Sequence, residues 1–90
     1  MSRAYRRMDT VDHLVIDGES ILLYEDRFIR LGPLGTRIVT IADTPRRIED
    51  FAAALTDAFG APAHGSAAES TRAAVTDLLA QGVLREVDGV

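Results

Sequence analysis

The sequence predicts an α+β domain in which a three-stranded antiparallel sheet is followed by three helices. The first half of the chain carries short apolar and β-branched runs separated by turn signals, and the second half carries apolar residues at helical spacing. Because strands and helices are segregated along the chain, an antiparallel sheet packed on helices is expected rather than alternating βαβ units.

Three apolar runs account for the predicted sheet. Val11 to Ile16 is followed by Asp17-Gly18, a pair that favours a tight hairpin turn. Ile21 to Tyr24 is followed by a polar break and then by Arg27 to Leu31. Side chains alternate along a strand, so apolar residues fall on both faces of this sheet, which is more than a one-sided sheet requires. We therefore expect a helix or a ligand to cover part of the second face.

Three helices follow from capping residues and apolar stripes. Pro33 suits the first position of a helix, Thr44-Pro45 is a cap followed by a first position, and Ser66 with Glu69 has the spacing of a capping box. The predicted helices begin at Pro33, at Thr44-Pro45 and after Ser66, and they end near Asp43, Gly60 and Gly82. Their expected buried stripes are Leu34, Ile38 and Ile41; Ile48, Phe51, Ala52, Leu55 and Phe59; and Thr71, Val75, Leu78 and Leu79.

Length and charge indicate one domain. We predict a flexible N-terminal tail over residues 1–9, which show no periodicity, and a domain over residues 10–90. The chain has no cysteine and no apolar stretch typical of a signal peptide or membrane anchor, so we expect a cytoplasmic protein without membrane association. The formal net charge of −4 makes nucleic acid a poor default partner.

Groups suited to catalysis or metal binding are scarce. His13 and His64 have no second ligand at a metal-binding spacing, and Ser66 is explained by its role as a helix cap. We therefore predict no catalytic residue, no metal and no cofactor, and we do not expect an enzyme.

The third predicted strand, Arg27 to Leu31, has one assured neighbour and a second edge whose partner the sequence does not specify. A free edge can accept an extended peptide as a fourth strand. Arg27 and Arg30 on the strand and Arg72 on the third helix would make such a groove basic and suit an acidic peptide. The alternative is that these arginines only keep the edge solvated, and the pattern alone does not separate the two.

Three segments, Phe28 to Ile38, Thr44 to Leu55 and Val75 to Leu84, occur in an order and spacing that resemble the PqqD family. Proteins of that family are recognition elements for ribosomally synthesised and post-translationally modified peptides (RiPPs). The resemblance spans about Val11 to Val87 and implies a winged helix-turn-helix that binds the leader segment of a precursor peptide. In the family the leader adds to the third strand and packs against the third helix.

The resemblance also implies site residues and partners. By position, the leader-binding residues are Arg27, Phe28, Ile29, Arg30, Leu31, Arg72, Val75, Thr76 and Leu79. The chain looks most like the discrete recognition proteins of lasso-peptide pathways, whose partners are a separate leader peptidase and, next, a cyclase. We expect a monomer or a dimer formed through the edge strand.

A winged-helix DNA-binding regulator is the alternative from another class. It would need a basic recognition helix, and the third helix offers Arg72 against Glu69 and Asp77. A small enzyme is the third and least supported alternative, for want of candidate catalytic groups.

Overall fold

Five strands and three helices make up the part of the chain that the computed structural model describes, residues 3–63 and 65–88. They are β1 (Ala4–Arg7), β2 (Asp12–Ile16), β3 (Glu19–Leu23), β4 (Phe28–Leu31), α1 (Pro33–Ile41), α2 (Ile48–Phe59), α3 (Ala67–Ala80) and β5 (Leu84–Val87). The predicted sheet is confirmed as β2-β3-β4, antiparallel throughout and followed by the three helices. Within the described ranges, no helix has the length and apolar character needed to cross a membrane.

The β2–β3 hairpin follows from its two turn residues. Asp17 and Gly18 have φ angles of 53° and 77°, and the pair Ile16–Glu19 closes the turn. Two successive residues with positive φ match the twist of the flanking strands. The Asp17-Gly18 signal therefore sets the register of the β2–β3 pair.

The prediction of a flexible tail over residues 1–9 is wrong for Ala4–Arg7, which form β1. This strand pairs antiparallel with β5 at the other end of the chain. The Tyr5 and Arg46 backbones exchange two hydrogen bonds of 2.7 and 2.9 Å, and Tyr5 is 8% exposed. Pairing between the two chain ends leaves no local pattern, which is why periodicity misses this strand.

His64, for which we predict no metal-binding role, lies outside the described residues, as do residues 1–2.

Two of the three predicted helix starts are confirmed. Pro33 is the first residue of α1, and the Ser66 hydroxyl accepts a hydrogen bond of 3.1 Å from the Glu69 amide at the start of α3. The second helix begins at Ile48 rather than at Thr44-Pro45, because Arg46 is held extended by its pairing with β1.

The helices cover one face of the β2-β3-β4 sheet and form the core with it. Cross-strand partners share a face, so Leu22 and Ile29 point to the helices, and Leu22 is fully buried. The predicted stripes are buried at Ile38, Phe51, Leu55, Thr71, Val75 and Leu78. Leu34 and Phe59 are wrong predictions, since each is 50% exposed. They lie in the first turn of α1 and at the last position of α2, beyond the layer that the sheet covers.

Two buried hydroxyls fix the end of β4. The Thr36 hydroxyl donates to the Leu31 carbonyl oxygen (3.3 Å), so the Ser20 hydroxyl at 2.8 Å donates to Thr36. The chain of bonds joins β3, β4 and α1 with both hydroxyls satisfied, as buried polar groups require. These bonds therefore fix the position of β4 from the face of the sheet that packs on the core. The edge of β4 away from β3 is left open.

The opposite face of the sheet is exposed. We expected a helix or a ligand to cover part of it, but no helix of the described residues lies over it, and Leu14, Ile16 and Phe28 are each more than half exposed.

Candidate functional site

β4 is the edge strand of its sheet, and its open side presents free backbone groups. The ladder with β3 begins where the Tyr24 amide donates to the Arg27 carbonyl oxygen at 2.8 Å. Along antiparallel strands the backbone groups of alternate residues face the partner strand. Counting from Arg27, the amides and carbonyls of Phe28 and Arg30 face away from β3. These two residues can pair with another extended chain.

The side chains of β4 divide between the two faces of the sheet. Phe28 is 66% exposed and Arg30 is exposed, and both lie on the outer face. Ile29 packs against the core and Leu31 is buried. Of the predicted strand residues, Phe28 and Arg30 are thus the accessible ones, whereas Ile29 and Leu31 hold the strand in place.

Arg27 ties the start of β4 to the end of α3. Its guanidinium donates to the Gln81 carbonyl oxygen at 3.1 Å and to a carboxylate oxygen of Asp26 at 3.0 Å. The same guanidinium lies over the Tyr24 ring, 4.7 Å from the ring centroid. Arg27 therefore closes one end of the space between β4 and α3.

At the other end of β4, a mainly apolar cavity of about 210 Å³ opens beside Leu34. Ala67, Ser70 and Thr71 from the start of α3 line the same cavity, together with Phe59 of α2. Because Gln81 lies near Arg27, which precedes β4, and Ser70 lies near Leu34, which follows it, we infer that α3 runs antiparallel to β4. The half-exposed Leu34 and Phe59 supply apolar surface at the rim of this cavity.

One side of α3 therefore runs alongside the open edge of β4. Residues spaced i, i+4, i+7 and i+11 share one side of a helix. Starting from Ser70, that side comprises Ser70, Ala74, Asp77 and Gln81. Together with β4 it bounds a groove, here called the β4–α3 groove, that starts at Arg27 and ends at the Leu34 cavity.

The predicted helix residues Arg72, Val75, Thr76 and Leu79 lie on the other side of α3. They line a separate cavity of about 420 Å³ whose remaining walls come from the N-terminal segment and the start of α2: Arg3, Tyr5, Arg47, Ile48 and Glu49. Val75 is 2% exposed and belongs to the core. Val75 also shares the buried core with Leu31 of β4, and Leu79 packs against that core.

The sequence does not indicate which flank of α3 faces β4, because the apolar stripe specifies only which side of the helix is buried. Thr71, Val75 and Leu78 point into the core, as predicted. The two flanks of that stripe are equivalent in the sequence. Which flank faces β4 depends on how α2 and α3 cross, for which the sequence carries no local signal.

Tyr24 offers an unsatisfied polar group near the Arg27 end of the groove. Its hydroxyl is buried and has no hydrogen-bond partner among the described residues. Burial raises the pKa of Tyr24, and the positive charges of Arg27 and Arg7 oppose this shift. The ring borders a cavity of about 410 Å³ that residues 8–11 also line. A ligand that pairs with this hydroxyl would remove the cost of burying it unpaired.

His13 lies on the inner face of the sheet, two strands away from the open edge. An Arg7 guanidinium nitrogen lies 3.1 Å from its Nδ1. Because a guanidinium only donates, Nδ1 accepts and the ring proton resides on Nε2, which has no partner among the described residues. Burial lowers the pKa of His13, Arg7 lowers it further, and Asp12 opposes the shift.

Acidification is therefore expected to destabilise the domain through His13. The unfolded chain takes up the proton near pH 6.5, whereas the folded chain takes it up at lower pH, so folding is penalised as the pH falls below about 6.5. Between pH 7.5 and 5.5 the melting temperature should fall more for the parent than for His13→Gln, whose amide oxygen can still accept from Arg7. The expected difference in melting temperature is small, because solvent screens part of the charge on this partly exposed ring. Equal losses in a thermal-melting series would contradict it.

No three His, Asp or Glu side chains in the described ranges are grouped so that they could hold a metal ion. The groove instead combines a free strand edge, a helix flank, a buried hydroxyl and an apolar cavity. Such an arrangement suits a bound extended chain.

The chain matches a known protein family. A family model described as "Coenzyme PQQ synthesis protein D (PqqD)" matches residues 19–84, which run from the start of β3 to the start of β5. No curated protein and no solved structure matches the chain.

Proposed function

The chain belongs to the PqqD family, and we propose that it binds the leader segment of a precursor peptide by adding it to β4 as a further strand. PqqD-like proteins are RiPP recognition elements, non-catalytic domains that bind a precursor peptide during its biosynthesis. The family thus supports a peptide-binding role, and the strand addition, the residues and the pathway are our proposal.

The observation that carries the proposal is the open edge of β4. An extended peptide paired with Phe28 and Arg30 would form up to about four backbone hydrogen bonds, each worth about 0.5–1.5 kcal/mol net. These bonds are independent of the peptide's side chains. They supply affinity, and the surroundings of the groove must supply selectivity.

Selectivity comes from the two ends of the groove. The cavity beside Leu34 suits an apolar side chain of the leader, because Leu55, Phe59 and Pro62 also line it. The opposite end offers the Tyr24 hydroxyl and the Arg27 guanidinium and suits a polar side chain. We propose that the Ser70–Gln81 flank of α3 forms the helix wall of the site, in place of the flank that carries Arg72. The groups just named form the two ends of the site.

Arg30 is expected to attract acidic residues of the leader. The Arg30→Glu variant should weaken leader binding about three- to tenfold, since one exposed pair contributes up to about 1 kcal/mol and reversal adds repulsion. Binding should also become less sensitive to salt. The matched control is Arg85→Glu on β5, an exposed position that makes the same change in net charge. Equal effects of the two reversals on the dissociation constant would contradict a local role for Arg30.

We place the domain in a lasso-type pathway, where it presents the bound leader to a separate leader peptidase and then to a cyclase. A PqqD-like domain that binds a precursor peptide suits a task of delivery. Because the precursor is made on ribosomes, we expect the encounter in the cytoplasm.

The proposal is tested by titrating a fluorescent synthetic leader, taken from a short precursor gene beside this one, and following its anisotropy. Saturable submicromolar binding that needs only the leader and not the core segment is expected. A scrambled leader controls for composition, and a DNA duplex tests the alternative of a DNA-binding regulator. Binding of DNA but not of the leader by the folded protein would reject the proposal.

A further inference from the structure

The outer face of the β2-β3-β4 sheet is an exposed apolar surface that meets the proposed leader site only at β4, through Phe28 and Arg30. We define the outer face by the five large apolar side chains that the register brings together there: Leu14, Ile16, Ile21, Leu23 and Phe28. Their exposed fractions range from 38% to 66%. A shallow cavity of about 240 Å³ opens at Leu14, Ile16 and Ile21. A contiguous apolar surface of this kind is typical of an interaction site.

Acidic side chains lie at both ends of the outer face. Asp17 and Glu19 lie at the β2–β3 hairpin, and Asp12 and Glu25 lie at the opposite end of the strands. All four are exposed, and the basic side chain on this face is Arg30, beside the open edge. Two copies stacked through this face would bring acidic ends together in either orientation, which disfavours a dimer. A partner with basic residues at both ends of an apolar surface would be complementary.

The dimensions of the outer face match one helix. Five residues of a strand span about 16 Å, and three strands span about 10 Å. An α-helix with its side chains is about 10–12 Å wide, and about 11 residues of it cover 16 Å.

We propose that the outer face docks an amphipathic helix of a partner protein whose apolar stripe has lysine or arginine at both ends. This inference rests on the proposed function in one respect, namely that the partner is an enzyme of peptide maturation. The outer face is continuous with the open edge of β4, so a protein bound there lies directly beside the added strand.

The test uses a labelled peptide of 18 residues with leucine at positions i, i+3, i+4 and i+7 and lysine elsewhere, and a matched peptide with glutamate in place of lysine. The lysine peptide should bind the protein at least about tenfold more tightly than the glutamate peptide. The double variant Leu14→Thr/Ile16→Thr, which keeps β-branched residues on an exposed strand, should weaken that binding about tenfold or more. Val15→Thr, at an equally exposed apolar residue of β2 on the opposite face of the sheet, should leave it unchanged.

Titration with the leader separates this inference from the proposed function. Leu14 and Ile16 lie on β2, two strands from the open edge, so the double variant should bind the leader as the parent does. Three results would each overturn the outer-face proposal: equal binding of the lysine and glutamate peptides, including no binding of either; unchanged binding by the double variant; and a dimer in sedimentation velocity that the double variant abolishes. Loss of leader binding in the parent would instead reject the proposed function.

Discussion

A proline at position 30 is expected to abolish leader binding while the domain stays folded. The Arg30 amide faces the open side of β4, so its loss removes no hydrogen bond to β3. Proline is tolerated in edge strands in this situation, and the extended conformation it imposes on Ile29 is the one that residue already has. In the complex with the leader, however, the proline has no amide to donate, and its ring obstructs the approach of the added strand.

The expected loss is at least about 3 kcal/mol, or more than about a hundredfold in the dissociation constant, since the peptide's carbonyl is also left unpaired. Arg30→Ala is the matched control, because it removes the charge and keeps the amide, and it should weaken binding only a few-fold. Circular dichroism and the melting temperature establish that both variants are folded. A folded Arg30→Pro variant that binds the leader like Arg30→Ala would exclude pairing at this edge.

Most of the fold could be predicted because its signals are local. Asp17-Gly18 specifies a hairpin, Pro33 starts a helix directly after a strand, and Ser66 caps α3. Short connections leave adjacent strands little choice of neighbour, so the order β2-β3-β4 follows from the sequence. The open second edge of β4 does not follow, because the sequence does not specify what pairs with it. Phe28 and Arg30 of the proposed site are indicated by the resemblance to the PqqD family.

The features that the sequence did not reveal depend on contacts between distant segments. Thr44-Pro45 has the residues of a helix start, but the two backbone bonds between Arg46 and Tyr5 hold that stretch extended and delay α2 until Ile48. The flank of α3 beside β4 is likewise set by packing against α2. At Thr44-Pro45 a tertiary contact overrides a strong local signal, whereas in α3 the packing decides between two flanks that the local sequence does not distinguish.

Removal of residues 1–7, which include β1, should strongly destabilise the domain. These residues bury Ala4 and Tyr5 and pair along β5. The Arg7 amide also donates to the Ala42 carbonyl oxygen at 2.8 Å. Deletion leaves the Arg46 backbone without its partner and exposes Leu84, which is 3% exposed in the intact chain.

The burial of Tyr5 contributes about 1.5–3 kcal/mol to the free energy of unfolding, and each lost backbone hydrogen bond contributes about 0.5–1.5 kcal/mol. Deletion also removes the entropy cost of ordering these residues, so the expected net loss of stability is about 3 kcal/mol or more. In a domain of this size the melting temperature should fall by more than about 12 °C. Removing residues 1–3 is the matched control, because it costs the exposed Arg3–Glu86 pair at 3.5 Å and should change the melting temperature by less than about 4 °C. If the longer deletion melted like the intact chain, β1 would contribute nothing to the domain, and the flexible tail expected from the sequence would be the better description.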